Sequence, residues 1–125
     1  LLAHTIAGLI DGRRPLSHPA SFFAPLSIDA TGALVLRDFY QEVVRGRRVL
    51  LVDDVRNTGK TFERAKALIE AAGGTVLATV EICDRLEAMV DLGVPNIALA
   101  EYPAPENFPA AACPLCASGT PITRF

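Results

Sequence analysis

The side chains best placed for chemistry are Asp53 and Asp54, followed by Val55-Arg56-Asn57-Thr58-Gly59-Lys60-Thr61. Two adjacent carboxylates can accept hydrogen bonds from neighbouring hydroxyls. The polar turn after them can surround an anion with backbone N–H groups, and a following helix N-terminus adds favourable charge. Gly59 lets the backbone approach such an anion closely. The combination suits a ligand carrying a sugar diol and a phosphate together.

Two other readings of the turn compete. Gly59-Lys60-Thr61 copies the end of a nucleotide-binding P-loop. That motif requires glycine where Asp54 stands, and a carboxylate there would repel the phosphates, so the P-loop is rejected. A plain strand–turn–helix with Asn57 or Thr58 as helix cap leaves two side-by-side carboxylates without a reason, since they repel each other.

The elements that position these residues follow from periodicity. Val49 to Val52 is apolar at every position, the pattern of a strand buried on both faces of a parallel sheet. Phe62, Ala65, Leu68, Ile69 and Ala72 recur at helical spacing, and Gly73-Gly74 stop that helix. Thr75 to Ile82 reads as a second strand, so 47–82 forms a strand–helix–strand crossover. The acidic pair therefore falls at the carboxyl end of a parallel strand, where open α/β sheets bind ligands. Asp84 with Glu87 predicts a capped short helix that ends near Gly93. Asn96 to Ala100 predicts another strand, and the chain from Tyr102 onward lacks a period and reads as an irregular segment over 102–125.

Val49 to Thr61 resembles the phosphoribosyl-diphosphate (PRPP) binding motif of type I phosphoribosyltransferases. The motif residues matched are Asp53, Asp54, Val55, Thr58, Gly59 and Thr61. The resemblance implies a Rossmann-like α/β fold, a mostly parallel sheet flanked by helices. It implies that Asp53 and Asp54 face the ribose hydroxyls as the catalytic and sugar-binding pair. Val55, Arg56, Asn57, Thr58, Gly59, Lys60 and Thr61 would cradle the 5-phosphate. The implied reaction transfers the phosphoribosyl group from PRPP to a nitrogenous base with release of pyrophosphate. Mg2+ would be held mainly by PRPP, with no residue assigned as its ligand. Cys113-Pro114-Leu115-Cys116 before Gly119-Thr120-Pro121 is similar to the end of orotate phosphoribosyltransferase-like members, which favours orotate and pyrimidine nucleotide synthesis. Salvage of a purine base and a non-catalytic PRPP-binding regulator are the alternatives. A homodimer is implied by family analogy alone.

The N-terminal third matches more loosely. Leu1 to Ile10 predicts a helix with Leu1, Leu2, Thr5, Ile6, Leu9 and Ile10 on one face and Gly12 after it. Ser21 to Ala24 is expected as a strand, 27–32 as a turn, and Ala33 to Leu36 as a strand pairing back. The family places a strand and a pyrophosphate loop before such a helix. Neither is seen ahead of Leu1, so 1–125 is expected to be a single, N-terminally incomplete domain. The family's mobile basic loop corresponds to 24–33, which carries no basic residue, and Lys60 and Lys66 are the only lysines. That feature keeps the regulator reading open.

Composition narrows the classes. The chain has 125 residues, half of them hydrophobic, enough for one packed core. A net charge of −2 supplies no field for nucleic acid. Arg45, Arg47 and Arg48 read as a solvated turn. No apolar stretch is long enough to span a bilayer and no secretory signature is present, so no membrane partner is expected. Three cysteines, Cys83, Cys113 and Cys116, fit a reducing, cytoplasmic setting. Cys113 and Cys116 have half a zinc site's spacing without further ligands, so they are read as structural thiols. Cys83, Tyr102 and Phe108 are expected in the core, Asp38 as half of a surface pair, and His4 and His18 outside any triad.

Overall fold

A computed structural model of the chain describes residues 1–87, 90–103 and 108–121. Its centre is a three-stranded parallel sheet in the order β3-β4-β5. The strands are β3 (Arg48–Arg56), β4 (Thr75–Asp84) and β5 (Asn96–Glu101). Helix α3 (Lys60–Ala71) joins β3 to β4, and α1 (Leu2–Asp11) lies against β3. A small antiparallel ribbon, β1 (Ser27–Ile28) with β2 (Leu34–Val35), precedes α2 (Asp38–Val44). The expected sheet flanked by helices is thus present.

The core forms where α3 covers the sheet. Phe62, Ala65 and Ile69, spaced at three and four residues, bury one helix face against Leu51 and Val76, with Leu36 and Val44 closing the side. The helix ends as its glycines predict. Gly73 takes φ +85°, its N–H donates to Glu70 O at 2.9 Å, and Gly74 N–H donates to Ile69 O at 2.9 Å. These are the paired bonds of a Schellman cap. A Cβ on Gly74 would stand 2.7 Å from Ile69 Cγ2, so the helix end packs too tightly for any other residue.

Several expectations need correction. The strand expected over Val49 to Val52 runs on to Arg56, because backbone pairing with β4 continues through Asp53↔Glu81, Val55↔Cys83 and Arg56↔Asp84. Backbone ladders override side-chain polarity there. Val55 and Arg56 consequently belong to the strand, and the loop shrinks to Asn57, Thr58 and Gly59.

Ser21 to Ala24 is not a strand. It lies between Pro19 and Pro25, and the Asp11 carboxylate captures both Ser21 N–H (2.8 Å) and its hydroxyl (2.6 Å). Ala33 to Leu36 does pair back, through Leu34 and Val35, but onto Ser27–Ile28. Asp29 holds the intervening turn by accepting from Thr31 N–H, Ala33 N–H and the Thr31 hydroxyl. Helix α2 was not foreseen. Asp38 opens it as a first-turn acid, and Gln41 Nε2 donates back to Leu36 O at 3.0 Å.

The helix expected after Asp84 is absent among the described residues; Ala88 and Met89 lie outside them. Asp84 Oδ1 instead accepts from Leu86 N–H at 2.8 Å, and Leu86 adopts φ +55°, which no helix accommodates. In α1 the half-buried face comprises Leu2, Ala3, Ile6, Ala7 and Ile10, while Leu1, Thr5 and Leu9 are exposed. Cys83 is half-buried, and Tyr102 and Phe108 are exposed, so none of the three joins the core. Among the described residues after Tyr102, one 3-10 turn (Ala110–Ala112) and one short helix, α4 (Pro114–Ala117), form.

Candidate functional site

Asp53 and Asp54 occupy the last third of β3. The two carboxylates differ in exposure. Asp54 is exposed and Asp53 half-buried. Asp53 Oδ1 accepts from Asp54 N–H at 3.0 Å, and Asp54 Oδ1 accepts from Val55 N–H at 2.8 Å. Burial pushes the Asp53 carboxyl above the usual carboxylate range; the Asp54 N–H bond opposes this and the Asp54 charge adds to it. Asp53, Asp54 and Thr61 share the wall of an open cleft of about 1040 Å3 between α1, the segment after it and β3.

The loop follows directly. Gly59 takes φ +80° and starts α3 without any side-chain cap, so neither Asn57 nor Thr58 serves as the cap. The N–H groups of Asn57, Thr58 and Gly59 make no backbone–backbone bond among the described residues. They and the first turn of α3 are available to an anion. Lys60 and Thr61 are exposed and Thr58 is half-buried. Arg56 differs from its neighbours: its side chain is folded inward and only 5% exposed.

Contacts to the segment beyond β4 were not foreseen. Arg85 N–H donates to Arg56 O (2.9 Å), Val90 N–H to Thr58 O (3.0 Å), and Arg85 Nη1 to Asn57 Oδ1 (2.9 Å). A buried polar group lies next to this seam. Thr79 Oγ1 donates to Asn96 Oδ1, whose Nδ2 donates to Glu81 Oε1 (2.6 Å) and Asp84 Oδ2 (3.3 Å). The available signal was a charged Glu81 inside an otherwise apolar strand pattern.

The remaining candidates are scattered. His4 meets Phe23 edge-on at 5.0 Å, and His18 Nδ1 lies 3.1 Å from Pro19 O. Arg45 pairs with Glu42 at 3.0 Å, and Arg47 lies over the Phe22 ring. Cys113 stands at the N-cap of α4, where the Cys116 N–H holds its thiol below the ordinary value; Cys116 is raised by its bond to Cys113. Among the described residues no group of three or more His, Cys, Asp or Glu gathers around a metal position. No helix among them is long and apolar enough to cross a membrane.

The phosphoribosyl transferase domain model matches residues 19–92, more than half of the chain and the whole of the β3–α3–β4 unit. The chain belongs to this family. It is similar to orotate phosphoribosyltransferases of several bacteria. With that of Acidithiobacillus ferrooxidans it shares 36% identity over 98% of this chain and 72% of the relative. With that of Bartonella tribocorum it shares 45% identity over 57% of this chain and 36% of the relative. With that of Thermus thermophilus the identity is 36%, covering 75% and 50% respectively. The phosphoribosyltransferase domain thus spans between about a third and three quarters of the relatives it matches.

Proposed function

We propose that this phosphoribosyltransferase domain binds PRPP and transfers its phosphoribosyl group to orotate, with release of pyrophosphate. The observation that carries the reading is the succession, within nine residues, of an accessible carboxylate pair and an uncapped loop at a helix N-terminus. Asp53 and Asp54 would accept hydrogen bonds from the two ribose hydroxyls. Asn57 to Thr61 would hold the 5-phosphate through backbone N–H groups and the Thr58 and Thr61 hydroxyls. Gripping both ends of the sugar phosphate presents its anomeric carbon in one orientation. The carbon–oxygen bond to pyrophosphate breaks, with the electron pair leaving on pyrophosphate. The base nitrogen then forms the new carbon–nitrogen bond and loses its proton. The two carboxylates offset the positive charge that builds on the sugar ring.

Asp53 and Asp54 are the carboxylates that would lie beside a Mg2+ carried by the ligand's own phosphates, an ion that keeps several waters when bound through one or two carboxylates. When bound there, Mg2+ would neutralise the departing pyrophosphate. Orotate is favoured over purine bases by the names of the relatives. A cytoplasmic homodimer is part of the same proposal.

The test is pyrophosphate release from PRPP and Mg2+ with orotate, adenine, hypoxanthine or xanthine in turn. Release with orotate alone supports the reading, and release with a purine redirects it to salvage. PRPP binding without release from any base supports the regulator. Segment 24–33, which contains no basic side chain, is the observation that favours that second reading.

A further inference from the structure

We infer that Arg56 is a positioning residue that supports the phosphate subsite from beneath, by supplying a buried positive charge and fixing the shape of loop 57–59. The inference rests on the phosphoribosyl reading above and adds a residue whose side chain does not reach the ligand.

Four observations meet at this side chain. The guanidinium lies directly under Gly59: Nη2 and Nε stand 3.1 and 3.2 Å from the point a Gly59 Cβ would occupy. Nη2 donates to Val90 O at 3.3 Å, which fastens the floor of the loop to the segment beyond β4. Cζ lies 5.9 Å from the centroid of the Phe62 ring, so the first turn of α3 carries the group from below. Nε is buried and has no hydrogen-bond partner among the described residues.

A buried guanidinium ordinarily has a carboxylate partner, because an unpaired buried charge is costly. Among the described residues Arg56 makes no ion pair. Its register neighbour Asp84 is already engaged by Leu86 N–H and Asn96 Nδ2. No described carboxylate therefore neutralises Arg56, and the loop that its guanidinium adjoins is a group able to bring an anion close to it. Low local dielectric strengthens attraction across one peptide layer. Gly59 at φ +80° has no side chain, and the Arg56 guanidinium lies against the space that a Cβ would fill. The loop N–H groups lack backbone partners, and its shape depends on ties from outside. Arg56 supplies one tie through its side chain and another through its carbonyl, which accepts from Arg85 N–H.

The experiment titrates ribose 5-phosphate into the full chain by calorimetry, comparing wild type, Arg56→Gln and Arg56→Lys, with melting curves as a fold check. Arg56→Gln is expected to weaken binding about tenfold or more, and Arg56→Lys to recover most of it, since the charge returns without the planar fork. A purely structural role would lower the melting temperature in both variants without this charge-dependent rescue. Binding by Arg56→Gln within about twofold of wild type, or equal weakening in both variants, overturns the inference alone. If Arg56→Gln does not fold, the Arg56 Nε–H resonance of the wild type is followed during the titration. A shift on ribose 5-phosphate binding supports the inference and a static resonance overturns it. A wild type that takes neither ribose 5-phosphate nor PRPP overturns the phosphoribosyl reading and this inference together.

Discussion

The β3–α3–β4 unit and the segments on either side of it are held by different forces. In the unit, backbone pairing joins the strands and one apolar helix face covers them, with Leu51, Phe62, Ala65, Ile69 and Val76 in one buried cluster. Outside it, side-chain-to-backbone bonds decide the path. Asp11 holds Ser21, Asp29 holds the ribbon turn, Asp84 bends the chain at Leu86, and Asp91 closes onto Gly93. The candidate site lies at the border between the two regimes. Its acids are on the rigid strand, and its loop is tied down by the irregular segment at Arg85 and Val90. The strand fixes where the two acids stand, and local polar bonds set the shape of the loop beside them.

The contrast is sharpened most by breaking the frame. Ile69→Ala is expected to cost about 2–5 kcal/mol in stability by opening a cavity under the helix end. Chemical denaturation measures it, and a loss below about 1 kcal/mol would mean that the cluster is not the core.

Gly59→Val comes next. A β-branched residue at φ +80°, pressed on the Arg56 guanidinium, is expected to cost about 1–2 kcal/mol and to abolish measurable PRPP binding. Unchanged binding would detach the loop from the site.

Asp53→Asn should have opposite signs in its two readouts. The folded-state value of Asp53 is raised, so the native state binds more protons than the unfolded state in that window. Stability then falls as pH rises from the ordinary carboxylate range through the raised value. The amide removes that burden and should raise the neutral-pH melting temperature while weakening PRPP. A lower melting temperature at neutral pH would contradict the assigned cause.

The smallest effect is expected outside the frame, at Asp11. Its folded-state value is lowered by the Ser21 hydroxyl and N–H, so its contribution is present above the ordinary carboxylate range and is lost as pH falls through the lowered value. Asp11→Asn should lower the melting temperature less than Ile69→Ala and flatten that acid sensitivity. An effect as large as that of Ile69→Ala would place the 13–26 segment inside the core's cooperative unit.

The same division explains what could be read from the amino-acid order. The apolar run Val49 to Val52, the helical spacing of Phe62 to Ala72 and the Gly73-Gly74 stop each report a backbone state that burial enforces. The Asp53-Asp54 pair and the turn to Thr61 were visible because their residue types are unusual at a strand end. The strand's true end at Arg56 was not visible, since its pairing with Asp84 on the next strand cannot be recognised from polar residues alone. The helix expected after Asp84 failed for a related reason. Asp84 and Glu87 satisfy a capping pattern, but Asp84's bond to Leu86 and the ties at Arg85 and Val90 lead the chain elsewhere. Arg56, Arg85 and Val90 entered the site through contacts some thirty residues apart in sequence, which no local spacing encodes.

The most direct test of the joined diol-and-anion site is calorimetric titration of Mg2+–PRPP into the full chain, wild type against Asp54→Asn. Removing one charged acceptor should weaken binding about 10- to 100-fold, with the melting temperature of the free protein little changed because Asp54 is exposed. Equal affinity in the two proteins would contradict the account.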